Sequence, residues 1–238
     1  MRRGGSGQWL GRRSCGATPT RKAVRSARKS YERSREVRTG CSDGRGFEGA
    51  CLVTLPPFDI QPTLIGEKVS LRPLAETDFE ELYAVAADPE IWAMHPYRDR
   101  YKREVFEGFF AEAMASQGAF AIVDKATGNM IGSSRFANYD GAAGEIEIGW
   151  TFFACSHWRG GFNRDAKALM LRHIFRHVRT VVFQIGAHNL RSRTAVERLG
   201  GRFIREYKRE YRGQIQDYVM YHLTVEDARN GALALEGI

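Results

Sequence analysis

The sequence predicts one α/β domain of the α+β kind, a mixed, mostly antiparallel sheet with helices on both faces, preceded by a disordered basic tail. Three observations carry this expectation. The first is a break in charge: residues 1–50 hold thirteen Arg and Lys against four acids, while the rest of the chain holds 23 bases and 24 acids and is nearly neutral. The second is periodicity, which changes between 2 and 3.6 along the chain to give the order β, α, α, β, β, β, α, β, α, β, β. The third is that this order contains hairpin neighbours and one strand–helix–strand crossover, a combination that builds a mixed sheet.

The 238-residue chain thus divides into a tail and Pro-containing linker at 1–63, a domain at 64–228 and a C-terminal tail at 229–238. The first fifty residues are rich in Arg, Gly and Ser and show no apolar periodicity, so they cannot bury enough surface to offset their ordering entropy. A disordered arm, a transit peptide and sequence upstream of the true start all fit this composition. Because the basic excess lies in the tail, it gives no reason to expect the folded part to bind nucleic acid. Cys15, Cys41 and Cys51 lie in or beside the tail and Cys155 stands alone in the domain. Without a CxxC pair neither a zinc site nor a disulfide framework is indicated. No apolar run approaches the ~18–20 residues of a membrane span, and the expected location is cytoplasmic.

Each element has its own signal. Lys68–Leu74 alternates apolar and polar residues as a half-buried strand does. A helix is expected from Asp78 to Ala87, with Thr77 as its N-cap and Asp88–Pro89 as its stop. A second helix spans Glu104–Ala115. Strands are expected at Ala119–Asp124, Met130–Asn138 and Gly144–Phe153, a helix at Gly161–His177, a strand at Val181–Ile185 and a helix at Leu190–Leu199. Phe203–Tyr211 and Ile215–Leu223 close the domain as a hairpin through Arg212–Gly213–Gln214.

The chemistry concentrates between Gly144 and Gly201. In the strand from Glu145, strict alternation places Ile146, Ile148, Trp150 and Phe152 on one face and Glu145, Glu147, Gly149 and Thr151 on the other. Two carboxylates on one face can hold one another's pKa up, which suits a general base acting on an ammonium substrate; a solvated polar face is the plainer reading. The strand runs into Trp158–Arg159–Gly160–Gly161–Phe162–Asn163–Arg164, which opens a helix. Unpaired amides at a helix N-terminus bind phosphate, glycines allow close backbone approach, and Arg159, Arg164 and Lys167 can add charge. Neither a P-loop nor a GxGxxG spacing is present. Ser192, Val196 and Leu199 share one helix face. His173 and His177 sit at i, i+4 without a third metal ligand in the pattern, Cys155 reads as a packed thiol, and Trp92–Tyr97 suits either a core or an acceptor pocket.

Together, the opening Leu71–Arg72–Pro73–Leu74, the Glu147–Trp150 strand with Trp158–Arg164, and Asn189–Ser192 leading to Glu197–Gly200 resemble the GNAT superfamily of N-acetyltransferases. Within it, the chain is most similar to the ribosomal-protein serine/alanine N-acetyltransferase branch, over about residues 64–225. The resemblance implies acetyl-CoA as co-substrate without a metal, and an amine-bearing acceptor, either a protein N-terminus or a small molecule. It further implies that Trp158, Arg159, Gly160, Gly161, Phe162, Asn163 and Arg164 cradle the pyrophosphate, and that the pantetheine arm pairs with main-chain groups of Trp150 and Phe152 and contacts Asn189. Glu147 matches the general base, and Ser192 the serine that protonates the leaving thiolate. The family's loop reads Gln/Arg-x-x-Gly-x-Gly/Ala; here Trp158 and Asn163 fill the outer places and Gly161 keeps the centre. Val196 stands where many relatives carry a tyrosine acid. A non-catalytic acyl-CoA-binding module is the alternative of a different class. Either a monomer or a homodimer is expected.

Overall fold

The computed structural model describes residues 57–211, 213–231 and 233. Most of the basic tail, residues 1–56, and Arg212 of the last hairpin lie outside the described residues, as do 232 and 234–238. The strands are β1 (Leu64–Ile65), β2 (Val69–Pro73), β3 (Ala119–Asp124), β4 (Met130–Asp140), β5 (Glu145–Phe153), β6 (Thr180–Gly186), β7 (Arg202–Tyr211) and β8 (Gln214–Thr224). The helices are α1 (Phe79–Ala86), α2 (Pro89–Trp92), α3 (Arg103–Ala115), α4 (Phe162–Ile174), α5 (Leu190–Arg198) and α6 (Val225–Asn230).

The eight strands form one sheet in the order β1-β2-β3-β4-β5-β6-β8-β7. All neighbours are antiparallel except β5 and β6. Alternation along the strands separates two cores. In β3, Phe120 and Ile122 face a core built with Met170, Leu171 and Ile174 of α4, whereas Ala119 and Ala121 face one built with Leu82 of α1 and Phe106, Phe109 and Phe110 of α3. The sheet therefore carries helices on both faces, as expected.

Several local expectations are corrected. The first helix begins with a 3₁₀ turn at Glu76–Asp78. It is Asp78, not Thr77, that accepts the Ala75 N–H at 2.8 Å and the Arg72 guanidinium at 2.7 and 2.9 Å. Asp88–Pro89 does not simply stop a helix: Asp88 caps α2 by accepting the Glu90 N–H at 2.9 Å, with proline at the first turn, where its missing N–H costs nothing. The strands β1 and the helix α6 were too short for periodicity to reveal.

The domain also reaches past both expected boundaries. Phe58 and Ile60 lie against the core, Phe58 stacks on His177 with centroids 4.2 Å apart, and Gln61 Nε2 donates to the Ala119 carbonyl at 2.6 Å. His173 Nε2 lies 2.8 Å from the Asp59 carbonyl oxygen, so the histidine pair anchors this segment. At the other end Leu233 is buried. A chain beginning at Pro57 should melt within a few degrees of the full-length protein, and one beginning at Thr63 should melt lower because it exposes the surface under Phe58 and Ile60. Differential scanning calorimetry of the two truncations checks this.

Candidate active site

The one parallel pair sets the site. β5 and β6 are in register only at Glu145–Thr180, Ile146–Val181 and Glu147–Val182. Beyond Glu147 the strands part while both continue, β5 to Phe153 and β6 to Gly186. A bulge in β5 coincides with the parting. Arg135 pairs with Gly149 and Ser133 with Phe152, so Trp150 and Thr151 together oppose Ser134. Trp150 takes φ +53°, which few non-glycine residues adopt. A bulge shifts side-chain parity, and strict alternation therefore fails: Ile146, Ile148 and Phe153 join the α4 core, whereas Phe152 and Trp150 join the α1–α3 core.

A cavity of about 280 Å³ occupies the splay. It is lined by Glu147, Gly149 and Trp150 of β5, Asn163 and Lys167 of α4, Gln184 of β6, Asn189 and Ser192 at the start of α5, and Tyr218 of β8. Glu147 is buried, at 3% exposure. Its Oε2 accepts Asn138 Nδ2 at 2.6 Å and Gln184 Nε2 at 2.7 Å, and Tyr207 donates its hydroxyl to Gln184 Oε1. Burial raises the Glu147 pKa, and the two amides and the Arg209 and Arg135 charges oppose the rise only in part. Burial thus does what mutual repulsion with Glu145 was expected to do; Glu145 Oε1 instead lies 4.0 Å from His222 Nδ1. A buried carboxylate with a raised pKa beside a cavity can accept a proton from a bound ammonium.

The glycine loop also takes shape. Arg159 (φ +63°) and Gly161 (φ +84°) both adopt left-handed conformations, and Gly161 is the N-cap of α4. No side chain among the described residues caps this terminus, which leaves the first amides of a thirteen-residue helix to an outside acceptor. Arg159 and Arg164 are exposed there. Trp158 is pinned by its Nε1, which donates to the Phe153 carbonyl at 3.0 Å, and by the Arg191 guanidinium 3.8 Å over its ring. Phe162 rests against His157 and lies under Lys68 Nζ, 5.5 Å from its ring centroid. Lys167, expected to add charge to the loop, turns away into the fold and donates to Thr151 Oγ1 at 2.7 Å and Ser134 Oγ at 3.0 Å.

The remaining sequence candidates fall close by. Asn189 caps α5, its Oδ1 accepting the Ser192 N–H at 3.2 Å. Ser192 is half-buried and lines the cavity with the buried Val196 and Leu199. Asn163 Oδ1 is buried with no hydrogen-bond partner among the described residues. Burial, reinforced by Asp88, pushes the Cys155 thiol up to about 11, which removes it as a nucleophile near neutral pH. Trp92 serves as core and wall at once: it is buried and it lines the cavity with His95, Tyr97 and Arg100. The structure therefore gathers Glu147, Trp150, Asn163, Asn189 and Ser192 around one cavity, while Phe152 packs in the core and the rest of 158–164 forms the adjoining helix N-terminus. The sequence reading missed Asn138, Gln184, Arg209 and Tyr218. Only Gln184 had a visible signal, as a polar residue inside the apolar Val181–Ile185 run.

This architecture recurs in solved structures. A GCN5-related N-acetyltransferase from Brucella melitensis aligns with a TM-score of 0.63 at 24% identity, over 70% of this chain and 80% of that one. Mycobacterium smegmatis RimJ in complex with CoA-disulfide aligns at 0.59 and 21%, over 74% and 93%. A proposed ribosomal-protein-serine acetyltransferase from Vibrio cholerae aligns at 0.56 and 13%, over 72% and 99%. No curated protein sequence matches the chain at comparable significance. The sequence model of the acetyltransferase (GNAT) domain matches residues 68–202, more than half of the chain. With the splayed β5 and β6, the bulge in β5 and the glycine-opened α4 in place, the chain belongs to the GNAT acetyltransferase family.

Proposed function

We propose that this acetyltransferase takes acetyl from acetyl-CoA and moves it directly to a primary amine, with the α-amine of a protein N-terminus as the preferred acceptor. One observation carries the reading: a buried carboxylate of raised pKa, Glu147, faces a cavity that opens between two parting strands beside an uncapped helix N-terminus. The residues fit the co-substrate. Gly161 and the first amides of α4 suit a diphosphate, and the unpartnered Asn163 Oδ1 awaits a donor. Bound there, acetyl-CoA supplies an activated thioester.

In this reading Glu147 accepts a proton from the acceptor ammonium, directly or through water. The Trp150 N–H, in the bulge, polarises the acyl carbonyl, a role that preorganised amides fill well. Ser192, which lines the cavity, protonates the leaving sulfur in this reading. Asn138 and Gln184 orient Glu147 and keep its pKa from rising further. The cavity lining includes Trp92, Tyr97 and Tyr218, and its bases Arg100, Lys167 and Arg209 outnumber its acids Glu112 and Glu147. Such a basic and aromatic wall is unsuited to a polycationic small amine, which favours a peptide acceptor. A cytoplasmic location belongs to the same reading; among the described residues no helix is long and apolar enough to cross a membrane.

The base assignment has a graded test. Gln184→Leu removes a donor that stabilises the carboxylate, so the Glu147 pKa rises further. The rising limb of the pH–rate profile should then move to higher pH, with a several-fold loss at neutral pH and full recovery above the limb. An unshifted limb would separate Gln184 from the base. Acetyl-CoA should also raise the melting temperature of the parent, by about 2.7 kcal/mol of stability at a hundredfold excess over its dissociation constant. A melting curve indifferent to acetyl-CoA would contradict the reading.

A further inference from the structure

Trp150 holds a backbone conformation that costs a non-glycine residue roughly 1–2 kcal/mol. Such strain persists only where surrounding contacts fix it. Trp150 itself has the Arg135 guanidinium 4.5 Å over its ring, and the bulge around it is held from α4 by Lys167. Its ammonium is buried, at 6% exposure, and reaches the sheet at the bulge, where it donates to Ser134 Oγ on β4 and Thr151 Oγ1 on β5. Those two hydroxyls lie 2.8 Å from each other, and Thr151 Oγ1 is also 3.4 Å from the Gly149 carbonyl oxygen. An ammonium can only donate, so Thr151 accepts from Lys167; with Ser134 donating across the 2.8 Å contact, Thr151 turns its own hydrogen to the Gly149 carbonyl. The Gly149–Trp150 peptide is planar and trans, so fixing the Gly149 carbonyl on the α4 side aims the Trp150 N–H the opposite way.

Resting on the acetyltransferase reading above, we propose that Lys167 is a positioning residue for acyl transfer, which acts through Thr151 to lock the bulge and aim the Trp150 N–H at the acyl carbonyl. The lysine is a costly choice for mere packing. Its partners from β4 and β5 are neutral hydroxyls. The acid on its own helix, Asp165, is engaged instead by the Lys68 and Val69 amides at 2.7 and 3.0 Å. Burial alone pulls the Lys167 pKa down to about 7. The unfolded chain therefore binds more protons between about pH 7 and the ordinary lysine value of 10.5, so this group's cost to folding is felt at neutral pH and fades as pH rises through that window. An apolar replacement of similar length removes the cost and leaves Ser134 and Thr151 bonded to each other.

The two roles predict opposite pairings of stability and activity. If Lys167 positions the bulge, Lys167→Met melts at or above the parent temperature at pH 7, yet loses roughly ten- to thirtyfold in kcat, in the range set by small misplacements of reacting groups. Its KM for acetyl-CoA stays within threefold. Thr151→Val matches it, Thr151→Ser restores the rate, and the Lys167→Met/Thr151→Val pair is no worse than either single change. These rates are read on the full chain with acetyl-CoA and a peptide beginning with serine. A second readout does not need turnover: with 15N-tryptophan, the Trp150 amide resonance shifts or broadens in Lys167→Met and Thr151→Val and stays put in Thr151→Ser. An unmoved Trp150 amide in Lys167→Met overturns the proposal whether or not the parent acetylates the peptide. So does a Lys167→Met that loses stability and rate together, or whose defect adds to that of Thr151→Val. A parent that leaves the peptide unmodified while the amide shifts as expected counts against the acceptor reading, not against the lock.

Discussion

Glu147→Gln is expected to lose about 10²–10⁴ in turnover, or roughly 3–5 kcal/mol of transition-state stabilisation, the contribution of a positioned general base. Glutamine keeps the size of the side chain and can still accept from Asn138 or Gln184, so the fold around it should hold. Affinity for acetyl-CoA should change little, because the carboxylate acts on the amine. Sign and cause are linked: burial raises the Glu147 pKa, so the parent rate climbs with pH as the carboxylate forms, and that limb should vanish in the variant. Glu145→Gln should behave almost as the parent, since Glu145 sits over His222 instead of in the cavity wall. Steady-state rates across pH for the two variants separate the outcomes. Equal, small effects would reduce Glu147 to a polar strand residue and require another base.

Gly161→Val is expected to weaken acetyl-CoA binding about a hundredfold, close to 2.7 kcal/mol. Half or more of this comes from the backbone: at φ +84° a β-branched side chain is strained by at least ~1–2 kcal/mol, and relieving the strain turns the α4 amides away from the anion. The rest is steric, because an added side chain stands where a phosphate would approach. Space within the fold is not limiting. A Cβ at Gly161 would meet only the flexible Lys68 side chain, with Cε at 3.5 Å, so the melting temperature should fall far less than the affinity. Calorimetric titration with acetyl-CoA measures the loss; unchanged affinity would move the anion site away from this loop.

Much of the fold was legible because long elements bury one face. Apart from the short α2, the strands and helices from Val69 to Thr224 lie within a few residues of the stretches that periodicity indicates. What alternation could not register is the bulge at Trp150, since a single extra residue shifts parity without leaving a mark in composition. That shift decides the site, for it takes Trp150 away from the α4 core that Ile146 and Ile148 face. Glu147 was legible as a carboxylate in an apolar strand, but the cause of its raised pKa was not, because burial depends on β6 and on Asn138 across the sheet. Lys167 shows the same limit from the other side. Its place two turns into a helix that opens on glycines suggests a phosphate ligand, and only the positions of Ser134 and Thr151 turn it into the cavity floor. Asp165 and Phe58 likewise hold contacts with partners about a hundred residues away, beyond the reach of local pattern.

Direct transfer to an amine is tested most directly by one stoichiometric measurement. The full chain is incubated with acetyl-CoA and a panel of peptides beginning with serine or alanine, together with small amines, and free thiol and acetylated amine are counted in the same reaction. The account predicts amine-dependent thiol release, one acetyl group on a primary amine for each thiol, with the peptides favoured over polycationic amines and the yield collapsing in Glu147→Gln. Tight binding of acetyl-CoA with no amine-dependent thiol release, or thiol release without an acetylated amine, would contradict it.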